Sequence, residues 1–143
     1  MGRKLITSIV TGAAAIGILV STIPNAQAAT KSSGYVKLTK WAPNCQAKIT
    51  VDDNVKNKVR GTVYLKCTGQ AILTPYVAFY RGKDYILPKN VSPGPRIVGT
   101  KEFKYSTTTD DKPGTQCYKG NLTIVFPQHR NQVSFIKTGC LNT

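Results

Sequence analysis

Hydrophobic and polar residues alternate along much of the chain, which is the pattern of strands with one buried and one solvent-facing side. The clearest run is KVRGTVYLKC, residues 58–67, and a similar run, CQAKITV, covers residues 45–51. Together they predict a hairpin, with Asp52-Asp53-Asn54 as its turn. In the first run, one face carries Val59, Gly61, Val63, Leu65 and Cys67, and the other carries Arg60, Thr62, Tyr64 and Lys66.

The middle of the chain predicts further strands separated by polar turns. Residues 75–88, PYVAFYRGKDYILP, form a second hairpin with Arg81–Asp84 as its turn and a proline at each end. Residues 96–105 predict one more strand, and the polar segment Thr107–Gly114 predicts an extended loop. The small polar residues 30–34 predict a loose end.

A last hairpin is predicted between Cys117 and Cys140, with Gln128-His129 at its tip. In that register Leu122 faces Phe135 and Ile124 faces Val133, which gives one apolar face. Seven or eight short strands with no helical run are typical of an all-β fold. We therefore expect a small antiparallel β-sandwich of the immunoglobulin-like kind, or a small barrel.

The first 28 residues read as a signal peptide. Arg3 and Lys4 precede an apolar run, Leu5–Val20, and Pro24 and the small-residue site Ala26-Gln27-Ala28 follow. Cleavage after Ala28 would release a single secreted β domain, residues 29–143, with no integral membrane segment. We expect this domain to be an extracellular monomer.

All four cysteines lie beyond the predicted cleavage site: Cys45, Cys67, Cys117 and Cys140. An even number of cysteines in a short exported chain predicts two disulfide bonds, for which three connectivities are open. Spacings of 22 and 23 residues around two predicted hairpins favour Cys45–Cys67 with Cys117–Cys140. The crossed pairing of Cys45 with Cys117 and Cys67 with Cys140 is the alternative. Each bridge should stabilise the fold by about 3 kcal/mol.

Charge points to the class of partner. Without Arg3 and Lys4 the chain holds 18 basic residues against six acidic ones, a net charge of about +12. Such a charge attracts polyanions, so an anionic polymer or a cell-envelope surface is the predicted partner. The alternative is that the charge only keeps the protein soluble.

Two groups of residues are candidates for contacting that partner. Lys58, Arg60 and Lys66 form a basic strip on the polar face of the first hairpin, which would become a site where Lys37, Lys40 or Lys104 adjoin it. The second group places two outward rings, which could stack on a ligand, beside two cations, which could neutralise it: Tyr76, Tyr80, Arg81 and Lys83. For both groups the alternative is an ordinary structural role, either a solvated strand face or strand packing.

The sequence carries few parts for catalysis. It has no CxxC pair and a single histidine, His129, so we predict no metal site and no cofactor. The order of Glu102 and His129 is similar to that of the glutamate base and histidine acid in small secreted microbial ribonucleases. The interval between them, however, holds three lysines and none of that family's arginines: Lys104, Lys112 and Lys119.

These observations predict a secreted, strongly basic, non-enzymatic binding protein that associates with an anionic partner at the cell envelope or in its surroundings. A secreted antagonist, either an antibacterial protein or an enzyme inhibitor, is the alternative, and its inhibitory loop would be Pro88–Pro95 or Thr107–Gly114. A small secreted ribonuclease ranks third.

Overall fold

The computed structural model describes residues 29–38 and 40–143, so the predicted signal peptide lies outside the described residues. A short 3-10 turn, Pro127–His129, joins the ninth and tenth strands. None of the helical segments in the described residues is long and apolar enough to cross a membrane. In chain order the strands are β1 (Thr30–Ser32), β2 (Val36–Lys37), β3 (Cys45–Val55), β4 (Lys58–Cys67), β5 (Ala71–Arg81), β6 (Asp84–Ile86), β7 (Arg96–Val98), β8 (Phe103–Asp110), β9 (Cys117–Phe126), β10 (Gln132–Lys137) and β11 (Leu141–Asn142).

The strands form two antiparallel sheets, as predicted. The first has the order β1-β3-β4-β8, with β2 also pairing with β3. The second has the order β10-β9-β5-β6, with β7 pairing with β5 and β11 with β9. Strands β3-β4-β8 and β10-β9-β5-β6 follow the A-B-E and G-F-C-C′ orders of an immunoglobulin-like sandwich. The predicted all-β sandwich is confirmed.

The core lies between the sheets and is formed by the inward-facing side chains, which occur at every second position along each strand. Its largest fully buried side chains include Ile49, Leu65, Phe79 and Phe126. The sheets approach closely at Gly120, where a Cβ atom would lie 2.7 Å from Cγ1 of Val51. Glycine is needed there because any side chain would push the sheets apart.

The two disulfides have the predicted pairing within each hairpin. Cys45–Cys67 joins residues directly opposite each other in β3 and β4 and is buried in the core. Cys117–Cys140 lies on the outer side of the second sheet and is partly exposed. One bridge therefore fixes its sheet from the inside and the other from the outside.

The turn of the first hairpin was predicted in the wrong place. Strand β3 continues through Asp52–Asn54, and the turn is Lys56-Asn57, with Asn57 in the left-handed region (φ 57°). The pairing shifts between Asp52 and Val55, so these polar residues form a bulge. Their side chains suit a bulge as well as a turn, because the Asp52 carboxylate accepts a hydrogen bond from the backbone N–H of Asn54.

Three other predictions were wrong, two of them because the segments are polar. Residues 107–110 belong to β8 rather than to a loop, and residues 30–32 form β1 rather than a loose end. Both segments pair with strands of the first sheet, where outward positions tolerate polar residues. The predicted strand 96–105 is divided between β7 and β8, which lie in different sheets.

Pro75 lies inside β5 and does not bound a strand as predicted. Along one side of β5, β7 pairs with residues 71–73 and β6 with residues 79–81. Between them, the backbone N–H of Val77 donates to the carbonyl oxygen of Val91, at 2.7 Å. The proline therefore faces a gap between strands, where it removes no ladder hydrogen bond.

The predicted register of the last hairpin is wrong by one residue. Leu122 pairs with Ile136, and Thr123 pairs with Phe135. The connecting loop bends through Arg130 and Asn131, which both have left-handed backbone angles (φ 53° and 56°). A one-residue shift reverses the direction of every side chain in a strand, so Phe135 lies on the outer face and is 65% exposed.

Candidate functional site

The seven candidate binding residues are divided between the two sheets. Lys58, Arg60 and Lys66 lie on β4, on the outer side of the first sheet. The remaining four belong to the second sheet, on β5 and in its turn to β6: Tyr76, Tyr80, Arg81 and Lys83. The molecule thus presents two separate outer faces, one on each side of the sandwich.

Two cations of the predicted basic strip are engaged with carboxylates of the protein. Arg60 binds Asp52 through two contacts, Nη2 to Oδ1 at 3.0 Å and Nε to Oδ2 at 3.2 Å. Asp52 is buried, so this pair fixes Arg60 beside the bulge. Lys58 donates a hydrogen bond to Asp110, which holds the pKa of that carboxyl below its usual range. Both side chains therefore have structural partners.

Arg81 is similarly occupied at the turn between β5 and β6. Its Nη2 atom lies 3.1 Å from Oδ2 of Asp84, and this hydrogen bond raises the pKa of the guanidinium. Gly82, with φ 58°, supplies the left-handed turn conformation, and Lys83 is exposed at the tip. The cation of this group that is free to meet a ligand is Lys83.

Lys66 belongs to a larger cluster on the outer side of the first sheet. Lys37 and Lys66 lie on either side of Gln46 in one row across β2, β3 and β4. In the next row Tyr64 lies between Lys48 and Lys104. We call this surface the basic face and define it by six residues: Lys37, Lys48, Lys66, Lys104, Tyr35 and Tyr64.

Aromatic rings support the lysines of the basic face. The Lys48 ammonium lies 4.2 Å from the centre of the Tyr64 ring and 4.6 Å from that of Tyr35. The Lys104 ammonium, from the neighbouring strand β8, lies 5.5 Å from the centre of the Tyr64 ring. Cation–π contacts hold an ammonium group without neutralising its charge. The rings therefore order these two lysines while the positive charge stays available.

One carboxylate reaches the basic face. The hydroxyl of Tyr35 donates a hydrogen bond to Oε2 of Glu102, which immediately precedes β8. This hydrogen bond raises the pKa of Tyr35 to about 12, because the negative carboxylate stabilises the protonated phenol. Between residues 29 and 143, only three of the 18 lysines and arginines form an ion pair with a described carboxylate. Most of the positive charge is thus solvated.

The outer side of the second sheet has a different character. Tyr80 and Tyr85 lie side by side, with ring centres 5.1 Å apart and planes inclined by 59°. The Lys137 ammonium lies 5.2 Å from the Tyr80 ring. An open cleft of about 490 Å³, which we call the aromatic cleft, lies among six residues: Tyr80, Tyr85, Asn121, Thr123, Phe135 and Lys137.

Asn121 has an unusual position in the aromatic cleft. It occupies an outward position of β9, yet the surrounding side chains leave it only 5% exposed. Its Oδ1 atom is buried and has no hydrogen-bond partner among the described residues. A buried polar atom without a partner costs about 1–3 kcal/mol, so such an atom calls for an explanation.

The two residues that suggested a ribonuclease have separate partners. Glu102 is bound to Tyr35, whereas the ring of His129 lies 5.5 Å from that of Trp41, at a tilt of 40°. The Lys40 ammonium covers the same tryptophan ring, at 4.7 Å. In the described residues, no group of three or more His, Cys, Asp or Glu side chains is placed to hold a metal ion.

Several residues of the two faces were absent from the sequence prediction. Lys48 could have been included among the candidate binding residues, since it is an outward position of a predicted strand. Tyr85 lay in the second predicted hairpin but was not singled out. Phe135 and Asn121 could not have been identified from the sequence, because the hairpin register and the burial of Asn121 depend on the folded chain.

Comparison of the chain with protein-family models, with curated proteins and with solved structures found no match.

Proposed function

We propose that the protein is a secreted, non-enzymatic binding protein that uses the basic face to hold an anionic polymer at the cell envelope or in its surroundings. The observation that carries this proposal is the grouping of Lys37, Lys48, Lys66 and Lys104 on four adjoining strands, β2, β3, β4 and β8. Neighbouring strands are about 4.8 Å apart, so lysines two strands apart are separated by about 10 Å. This spacing suits a chain of repeated negative charges.

The two disulfides support the extracellular part of the proposal. Bonds of this kind persist in oxidising surroundings, and the mature chain keeps all four cysteines in them. A fold fixed by two such bonds presents its lysines on a rigid surface, which reduces the entropy that binding must overcome.

The arrangement of the loops gives less support to an inhibitor. The segment Pro88–Pro95 is fastened to the sandwich, since Asn90 accepts a hydrogen bond from Tyr105 and Val91 accepts one from Val77. Half of the other candidate loop, Thr107–Gly114, is strand β8. An inhibitory loop usually projects from its scaffold, and neither segment does so over its whole length.

The proposal is tested with the protein comprising residues 29–143. Binding to purified cell wall, an acidic polysaccharide, RNA and anionic liposomes is measured at low and at high salt. One variant carries four substitutions on the basic face: Lys37→Gln, Lys48→Gln, Lys66→Gln and Lys104→Gln. Its matched control carries four at exposed lysines away from that face: Lys56→Gln, Lys83→Gln, Lys89→Gln and Lys112→Gln.

Both variants lose the same net charge, so the comparison separates a site from general attraction. We expect the basic-face variant to bind its polymer at least tenfold more weakly, a change of about 1.4 kcal/mol. Its salt dependence should also be shallower by about three released counterions. Equal losses in the two variants, or no retention on any of the four materials, would contradict the proposal.

A further inference from the structure

We propose that the aromatic cleft is a second binding site and that its ligand is a saccharide chain. The inference rests on three features found together: a buried amide without a partner, exposed rings on both sides of it, and a cation beside it. It does not depend on the proposed function, because it concerns the opposite face of the sandwich and a ligand that need carry no charge.

Asn121 supplies the polar floor of the site. Its side chain belongs to the outer face of β9, and β5 and β10 flank it with Ala78 and Lys137 at the directly paired positions. The buried Oδ1 atom lacks a donor among the described residues. The surrounding side chains cover this atom, so they must shift for a ligand to reach it. A sugar hydroxyl can both donate and accept a hydrogen bond, so it then satisfies the amide in either orientation.

The rings supply the apolar walls. Tyr85 is 54% exposed at one edge of the cleft, on β6, and Phe135 is 65% exposed at the other, on β10. Their strands are three places apart in the sheet, a distance of about 14 Å. Rings this far apart can contact different units of a chain, with Asn121 and Thr123 between them to meet its hydroxyl groups.

A pyranose suits a cleft that combines aromatic rings with a polar amide, because its apolar and its polar surfaces lie on different parts of the ring. Its C–H groups form an apolar face that lies against an aromatic ring, while its hydroxyls point outward from the edge. A lipid chain would cover the rings but offers no donor to Asn121. A nucleic acid would stack on the same rings, but its phosphate backbone would meet a single cation of the cleft, Lys137.

Lys137 adds a preference within the saccharide class. Its ammonium group lines the cleft and has no carboxylate partner among the described residues. It can donate to a ring hydroxyl of a neutral sugar and would bind a carboxylate or phosphate substituent more strongly. We expect neutral saccharides to bind and acidic ones to bind more tightly.

The test uses residues 29–143 at high salt, where the basic face is screened. Cellotetraose, chitotetraose, maltotetraose and a tetrasaccharide containing uronic acid are titrated, and binding is followed by calorimetry and by the side-chain amide resonance of Asn121. We expect at least one of them to bind and to shift that resonance. Phe135→Ala and Tyr85→Ala should each weaken binding by at least tenfold.

Asn121→Leu distinguishes a ligand-binding amide from a structural one. The leucine removes the unsatisfied oxygen at similar volume, so the variant should unfold at an equal or higher temperature and yet lose saccharide binding. Ile97→Ala, at an exposed position outside the cleft, is the matched control and should bind as the parent protein does.

Three results would overturn the inference. The first is that none of the four tetrasaccharides binds, and the second is that binding survives in Phe135→Ala and Tyr85→Ala. The third is that single-stranded RNA binds more tightly than the sugar, displaces it and shifts the Asn121 resonance itself. These results leave the proposal for the basic face untouched, because the two sites are tested by different variants. The variant that lacks the four basic-face lysines should bind saccharides as the parent protein does.

Discussion

The two outer faces of the sandwich use the same residue types in opposite arrangements. On the basic face, the rings of Tyr35 and Tyr64 contact the half-buried Lys48 and hold its ammonium group in place. On the second sheet, Tyr85 and Phe135 are themselves the exposed groups around the aromatic cleft. Tyrosine and lysine on a strand therefore do not specify a kind of site, because the strand pairing decides which group meets the solvent.

The two sheets also differ in how their disulfides hold them, and removing each bond tests this difference. The loops of 22 and 23 residues predict nearly equal losses of about 3 kcal/mol for the free energy of unfolding. The pair Cys45→Ala and Cys67→Ala also removes buried core atoms, so its loss should be larger by about 1 kcal/mol. Urea unfolding of both double variants measures the difference.

An equal loss in the two double variants would show that the buried bridge contributes nothing through packing. A larger loss for Cys117→Ala with Cys140→Ala would contradict the comparison, because it would make the partly exposed bridge the more important one. As a control, the polyanion affinity of the folded fraction of each double variant is measured, which tests whether the basic face itself is intact.

A smaller effect is expected when Glu102 is replaced by Gln. The substitution removes the carboxylate from the basic face, so binding to the anionic polymer should become about two- to fivefold tighter. Asp84→Asn makes the same change in net charge on the other sheet and should alter the affinity by less. If both variants bind alike, the two faces do not differ in their electrostatic role. Retention at graded salt concentrations measures this.

The smallest effect is the alkaline titration of Tyr35, whose pKa of about 12 lies above the ordinary value of about 10. Because the pKa is raised in the folded protein, the stability it contributes is present below about pH 10 and is lost as the pH rises toward 12. Ultraviolet difference titration of Tyr35→Phe against the parent protein isolates this group.

The same titration in Glu102→Gln provides the control. With the carboxylate gone, the pKa of Tyr35 should fall toward its ordinary value. An unchanged titration would mean that Glu102 does not accept the hydrogen bond that crosses the basic face.

Local patterns in the sequence predicted much of the fold and only part of the two faces. Alternation placed Tyr76 and Tyr80 on the outer face, as observed, because β5 follows its period of two. The cysteine spacing gave the correct bridges because each pair closes one hairpin. These are short-range features, which the sequence of a single segment contains.

Pairing between strands that are distant in the chain could not be predicted from local patterns. Lys104 meets Tyr64 because β8 pairs with β4 across some forty residues, and nothing in either segment names its partner. The position of Phe135 depends on two left-handed residues, Arg130 and Asn131. Neither is a glycine, and the asparagine alone is too weak a signal to fix the register. Both faces of the molecule thus depend on contacts that only the folded chain reveals.

The gap beside β5 has a consequence for how the protein behaves among copies of itself. An open strand edge with free N–H groups invites another chain to add a strand, and aggregation follows. At this gap Pro75 has no N–H to offer, and the N–H of Val77 is already donated to Val91. A second copy would find no donor there, so the addition of a strand at the interruption between β7 and β6 is disfavoured.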